Sequence, residues 1–280
     1  MNGPMNKQME WTWQDGVAVI TGAGGLLGRG MAVTLARAGM DLVLADTDTK
    51  AAGKVAEEIK ALGRRVLVVT TDVADPEALE SLADQAWTVF GKVNLLCNNA
   101  GIALLRPYGE LTLDDWNRVL GINLMGVIHG IHAFLPRMAD QGGLRHIVNT
   151  SSMSGVGIAS LRPLNAPYVT AKFAIAGLTE TLAPVAAAQG IGVSVLCPGM
   201  TVADPSKPMT YAMASAEWYR DNLLDPIQVA EEMCRGIEEN RLHIFPHRAG
   251  LAEVEQRHAA LLEGFRQAGK TSPEEKTRDT

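Results

Sequence analysis

A chain of 280 residues with an apolar fraction of 47% is long enough to fill the core of one α/β domain or two small ones. Its formal net charge of −6 speaks against a nucleic-acid partner, and 28 glycines beside only 5% aromatics favour tight turns and close helix-to-sheet packing over an all-β sandwich. The start, MNGPMNKQMEWTW, lacks the basic-then-apolar order of a signal peptide, and no run of eighteen apolar residues occurs, so a cytoplasmic protein without a membrane partner is expected.

Residues 1–14 read as a loosely held arm, with Trp11 or Trp13 available to cover the first strand. Val17 to Ile20 is a short continuous apolar run of the kind a buried parallel strand needs. A glycine-rich turn leads into a helix to Arg37, closed by Gly39. Strand two, Leu42 to Leu44, stops at Asp46; a helix from Thr49 to Leu62 follows, then strand three at Val66 to Val69. Pro76 opens a helix toward Phe90. Val93 to Cys97 is strand four, and a long helix begins at Thr112, where Asp115 three residues on completes a capping box. Strand five, His146 to Asn149, leads through a serine-rich stretch to a helix starting near Asn165, which Pro184 should kink or end. Gly192 to Leu196 is strand six, residues 200–224 are irregular, and a helix from Pro226, a strand at Leu242 to Phe245 and a helix to about Gln267 precede a disordered tail, 268–280. Such alternation predicts one domain over 15–267: an α/β fold with a doubly wound parallel seven-stranded sheet and helices on both faces.

In sheets of that kind ligands bind at the carboxyl ends of the strands, which is where the polar motifs fall. TGAGGLLG, Thr21 to Gly28, lies between strand one and a helix, so Gly22, Gly24, Gly25 and Leu27 bring backbone close to a pyrophosphate at a helix N-terminus. Asp46 ends strand two, where a carboxylate accepts from both ribose hydroxyls of an adenosine and repels a 2′-phosphate. Its neighbour is Thr47 rather than Arg, so NAD is preferred over NADP. Asp72 and Val73 after strand three suit an adenine edge, and Asn98 to Gly101 after strand four offers carboxamides, Asn99 among them, and a permissive Gly101. Pro198-Gly199 turns at the end of strand six. The three cysteines, Cys97, Cys197 and Cys234, sit in apolar runs as reduced core residues, and the histidine pairs lack the further ligands a metal site needs.

Tyr168 and Lys172, four residues apart, share a helix face, which places an ammonium beside a phenol and favours the phenolate. A phenol so placed exchanges protons as an acid/base, and Ser151, Ser152 or Ser154 upstream can bond the same reacting oxygen.

These motifs resemble those of the short-chain dehydrogenase/reductase family from about Gly16 to Phe245: TGAGGLLG, Asp46, DV at Asp72, NNAG at Asn98, Asn123 in INL, NTSS at Asn149, YVTAK at Tyr168 and CPGMT at Cys197. The resemblance implies a Rossmann-type domain using NAD(H) or NADP(H), a catalytic tetrad at Asn123, Ser152, Tyr168 and Lys172, cofactor contacts from Tyr168, Lys172, Pro198 and Thr201, and a homodimer or homotetramer built through helices 112–139 and 165–189. Within it, Asn123 would hold a water that relays protons to Lys172. Two departures stand out. Leu26 occupies the middle glycine position of the family's motif, and Ser152 lies sixteen residues before Tyr168 rather than the usual thirteen, which leaves Ser154 as an alternative and implies an insertion within Ile158 to Pro167.

The stretches GVIHGIHAFLPRM and NRLHIFPH are similar to bacterial members that oxidise bulky aryl or alicyclic secondary alcohols, including Cα-dehydrogenases of lignin-derived aryl ethers. Met200, Met209, Tyr211, Met213, Trp218 and Tyr219, with Leu104, Leu105 and Met153, are available to line an apolar pocket for a small-molecule substrate. The expected reaction is therefore hydride transfer between NAD(H) and a bulky secondary alcohol or ketone. The alternatives are a 3-oxoacyl or polyketide-type ketoreductase and a non-catalytic NAD-binding module.

Overall fold

Strand β1, Val17–Thr21, is buried at every position, because a parallel strand covered on both faces can present nothing else. Its odd and even residues enter different cores. Ala18 and Ile20 pack with Met31, Leu35 and Ile237, whereas Val17 and Val19 pack with Leu79, Leu82 and Phe134. The structure, a computed structural model, describes residues 11–157, 164–202 and 223–268. Strands β2 (Asp41–Asp46), β3 (Val66–Thr70), β4 (Leu95–Asn98), β5 (His146–Thr150), β6 (Gly192–Leu196) and β7 (His243–Ile244) complete a seven-stranded sheet in the order β3-β2-β1-β4-β5-β6-β7. All its pairings are parallel. The order reverses between β1 and β4, and a crevice opens at the carboxyl ends on either side of such a switch.

Helices α1 (Leu26–Arg37), α2 (Thr49–Ala61), α3 (Pro76–Phe90), α4 (Leu113–Leu120), α5 (Gly126–Asp140), α6 (Ala166–Ala187), α7 (Pro226–Glu238) and α8 (Leu251–Ala268) fill the connections. Their starts are written in the sequence: Asp48 caps α2, Asp75 caps α3, Asp225 caps α7, and Thr112 with Asp115 forms the expected capping box on α4. Helix α1 differs, since Gly25 stands at its N-cap and no side chain bonds its first N–H groups.

Two expectations are corrected. The long helix from Thr112 is interrupted by a π turn, Gly121–Met125, in which the Gly126 N–H reaches back five residues to Gly121. Helix α6 runs on through Pro184 to Ala187; the proline forfeits its own N–H bond to the preceding turn, and the helix continues past it with the Ala188 N–H on the Pro184 carbonyl at 3.3 Å. As expected, Trp11 and Trp13 pack against the core that holds Ala18 and Ile20 of β1, with Trp11 edge-on to His146 at a centroid distance of 5.9 Å and Trp13 donating to Glu238 at 2.7 Å. The arm 1–10, the loop 158–163, the segment 203–222 with Met209, Tyr211, Met213, Trp218 and Tyr219, and the tail from 269 lie outside the described residues.

Residues 113–140 are long and apolar enough to cross a membrane by composition, with a window of mean hydropathy 1.5. Here they form a layer of the domain, with α5 packed on α3 and β4.

Candidate active site

A cleft of about 610 Å³ opens at the carboxyl edge of the sheet. It is lined by every residue assigned from sequence to the cofactor: Gly22, Gly24, Gly25 and Leu27 from the first turn, Asp46 and Thr47 after β2, Asp72 and Val73 after β3, Asn99 and Gly101 after β4, Tyr168 and Lys172 on α6, and Pro198 and Thr201 after β6.

Close approach explains the glycine turn. Gly22 has φ of +65°, and a Cβ there would stand 2.8 Å from the Ala100 Cα. A Cβ on Gly28 would collide with the Gly22 carbonyl, so that glycine is required by the turn itself. Leu26, the departure from the family pattern, occupies the first position of α1, where an ordinary helical residue fits. The Asp46 carboxylate spans the cleft's adenosine end: Oδ2 accepts from the Gly24 N–H at 2.8 Å and Oδ1 from the Asp48 N–H at 2.8 Å. A glycine cradle, a helix end without a side-chain cap and a fixed carboxylate together suit a dinucleotide with an unphosphorylated ribose.

Thr21, which the sequence analysis did not single out, ties this turn to the next strand. Its Oγ1 accepts from the Asn99 and Ala100 N–H groups at 2.9 and 3.1 Å. The Asn99 Nδ2 donates to the Thr21 carbonyl at 2.9 Å while the side chain still lines the cleft, and Asn98 donates to Asn149 Oδ1 at 2.9 Å.

The other end of the cleft holds the hydroxyls. Each serine after β5 has its own partner. Ser151 donates to the Lys172 carbonyl at 2.7 Å and so pins α6 to the strand end. Ser152 Oγ accepts from the Ser154 N–H at 3.1 Å, and against the burial that raises the Tyr168 phenol's pKa it is Ser152, of the three serines, that pulls it back down. The geometry thus sets Ser152 rather than Ser154 beside Tyr168.

Lys172 is buried, with Nζ donating to the Thr150 carbonyl at 2.6 Å and standing 5.4 Å from the centroid of the Tyr168 ring. Burial pushes its pKa from 10.5 down to about 8. Part of the Tyr168 ring stays accessible, yet burial of its surroundings pushes the phenol's pKa up, and the Ser152 hydrogen bond pulls the other way. The depression expected from Lys172 is not carried by this geometry, since the ammonium sits over the ring face and aims at a backbone carbonyl.

Asn123 is fully buried in the π turn, and its carboxamide pairs with both backbone groups of Ile102, accepting from the N–H at 2.8 Å and donating to the C=O at 2.8 Å. It braces the loop after β4 with one donor and one acceptor of its carboxamide, which leaves a second N–H and a second lone pair on the side chain. The Thr150 carbonyl that receives Lys172 could not be found from side-chain patterns, because a backbone acceptor leaves no mark in the sequence.

A parallel sheet whose switch point carries a dinucleotide cradle and, beside it, a tyrosine, a serine and a buried lysine defines a nicotinamide-dependent oxidoreductase. Comparison with known proteins narrows the class. The family model described as short chain dehydrogenase matches residues 16–213. A C alpha-dehydrogenase of Sphingobium sp. is 34% identical over 268 residues, covering 90% of this chain and 87% of the relative. A cyclohexanol dehydrogenase of Acinetobacter sp. is 36% identical over 197 residues, covering 70% and 76%. A short chain dehydrogenase/reductase from Burkholderia phymatum, solved in complex with NAD, superposes with a TM-score of 0.81 at 35% identity, covering 91% of this chain and 96% of that one. The chain belongs to the short-chain dehydrogenase/reductase family, and it is an NAD-using oxidoreductase that transfers a hydride to or from a secondary alcohol or ketone.

Proposed function

We propose that this chain, as a single catalytic unit over residues 15–267, reversibly oxidises a bulky, largely apolar secondary alcohol, with Tyr168 as the proton-transfer group. NAD⁺, when bound, supplies the hydride acceptor. Tyr168 Oη takes the alcohol's proton during oxidation and returns it to the carbonyl oxygen during reduction. Ser152, beside that phenol, orients the reacting oxygen. Lys172 stands over the ring and, by family resemblance, reaches the nicotinamide ribose; Thr201 meets the carboxamide. Asn123 holds the loop after β4 in place through Ile102. Asp46 selects the unphosphorylated ribose.

The observation that carries the reading is the convergence of Tyr168 and Lys172 on the same cleft that Asp46 and the uncapped end of α1 line. The substrate class rests on the apolar side chains Ile102 and Ala103 in the cleft lining, with Leu104 and Leu105 next in the chain, and on relatives named as a C alpha-dehydrogenase and a cyclohexanol dehydrogenase. Assembly as a homodimer or homotetramer across α4, α5 and α6 is supported by exposed apolar residues there: Leu113 at 81%, Val185 at 55% and Met125 at 40% exposure. The three buried free cysteines suit a cytoplasmic setting.

The test is a screen of NAD⁺ reduction over secondary alcohols, from cyclohexanol through 1-phenylethanol to aryl-glycerol ethers, repeated with NADP⁺. Turnover of the bulky alcohols with NAD⁺ is expected. Activity with NADP⁺ alone would overturn the role of Asp46, and turnover confined to small polyols would overturn the substrate class.

A further inference from the structure

Residues 245–250, between β7 and α8, fold back beneath the nicotinamide end of the cleft and touch two of its turns. The His247 ring lies against Gly199 so closely that a Cβ on Gly199 would collide with Nε2 and approach Cε1 to 3.0 Å and Cδ2 to 3.3 Å. Gly199 has no positive φ, so space rather than backbone conformation forbids a side chain there. Three residues on, a Cβ at Gly250 would stand 2.6 Å from the Met153 Cε, beside Ser152. The two turns are also joined to each other, since the Met153 N–H donates to the Pro198 carbonyl at 3.0 Å. On its far side the Pro198–Gly199 turn is tied by the Leu224 N–H to Met200 at 2.9 Å. His247 supplies the support from below. Its ring nitrogens are buried and have no hydrogen-bond partner among the described residues, and burial pushes its pKa down, so the ring acts as a neutral, shaped plate.

We propose that His247 is a positioning residue: its imidazole, filling the space left by the missing side chain of Gly199, sets the height of the Pro198–Gly199 turn and thereby the placement of the nicotinamide end of NAD against Tyr168. The inference rests on the NAD-dependent reading above. Gly199 and His247 then form a reciprocal pair in which the bulk of one is matched to the absence of bulk in the other.

Steady-state kinetics and equilibrium binding of NADH and ADP test this in the full chain. ADP reaches the Asp46 end but lacks the nicotinamide, so it reports whether the rest of the site survives. His247→Ala is expected to weaken NADH binding and to lower kcat/KM at least tenfold while ADP binds as in the wild type. His247→Phe, which keeps a ring of similar shape, should stay within threefold of the wild type. Gly199→Ala alone should lose at least tenfold through collision with the ring, and Gly199→Ala combined with His247→Ala should recover at least threefold of that loss. A double variant no better than Gly199→Ala, or a His247→Phe as impaired as His247→Ala, overturns the contact as the operative feature. Loss of ADP affinity in step with NADH overturns it as a local effect. The cofactor reading fails separately, and only if the wild type itself binds NADH no better than ADP.

Discussion

At the amino edge of the sheet, Arg145 donates to six backbone carbonyls, those of Met138, Ala139, Gln141, Gly143, Gln189 and Gly190, and so closes the ends of α5 and α6. Around it, Gln141 pairs with both backbone groups of Val93, and Asn94 with the Val17 N–H and the Leu144 carbonyl. His146 and Ser194 form a buried pair at 2.8 Å; because the Ser194 hydroxyl donates to the Arg241 carbonyl, the imidazole Nε2 must be the donor to Ser194. At the carboxyl edge the accounting differs. The first N–H groups of α1 have no side-chain acceptor, and Tyr168 and Lys172 line an open cleft. Polar side chains occur at both edges of the same strands, and what separates structure from chemistry is whether their hydrogen-bonding capacity is already used by the protein.

The largest effect that sharpens this comparison is expected at Tyr168. Tyr168→Phe removes only the proton-carrying oxygen, so turnover should fall by ~10²–10⁴ while NADH affinity stays within about twofold. Undiminished turnover in that variant would place the chemistry elsewhere. The matching change at the other edge is Arg145→Ala, which strands several helix-end carbonyls and should lower unfolding free energy by about 3 kcal/mol, with kcat per folded molecule unchanged at low temperature. Denaturant unfolding and active-site titration separate the two outcomes, and a fall in kcat per folded molecule would break the division between the edges.

Next in size is Asp46. Removing the carboxylate in Asp46→Ala loses charge-assisted bonds to the ribose and should raise KM for NAD⁺ about tenfold while bringing NADP⁺ into use. Equal exclusion of NADP⁺ after the change would show that shape, not charge, selects the cofactor.

His146 gives a smaller, pH-dependent signature of the closed edge. Burial pushes its pKa from 6.5 down to about 3, so between those values the unfolded chain binds a proton that the folded chain does not. Its contribution to stability is therefore whole above pH 6.5 and is lost as pH falls, by about 1.4 kcal/mol per unit. Compared with the wild type, His146→Gln should flatten the acid side of the stability profile by that slope without altering kinetics near neutrality.

Much of this was legible in the chain itself. The strand runs, the Asp caps at 48, 75 and 225 and the Thr112–Asp115 box are local patterns, and their physics is local. The cleft residues were legible because parallel sheets collect their polar turns at one edge. What escaped depends on contacts between distant backbones. The bond from Asn99 to the Thr21 carbonyl joins residues 78 positions apart, and the collision between Gly199 and His247 is written in no spacing. Pro184 misled for a different reason. A proline removes only its own bond to the carbonyl four residues back, and the bonds beyond it still form, as the Ala188 N–H to the Pro184 carbonyl does.

Leu26 offers the smallest expected effect and the finest test of how the open edge is built. The family pattern predicts that the missing glycine matters at this position, but the tight approaches in the turn fall on Gly22, Gly24 and Gly28, where a Cβ would meet Ala100, Ala51 or the Gly22 carbonyl. Leu26 is already helical and needs no unusual backbone. Leu26→Gly should therefore cost about 0.5–1 kcal/mol of stability through added chain freedom. It should change NADH affinity by less than about threefold, since under 1 kcal/mol is at stake. A rise in affinity of tenfold or more would mean that the leucine side chain holds the backbone away from the pyrophosphate, and that the open edge is less open than its unpaired donors imply.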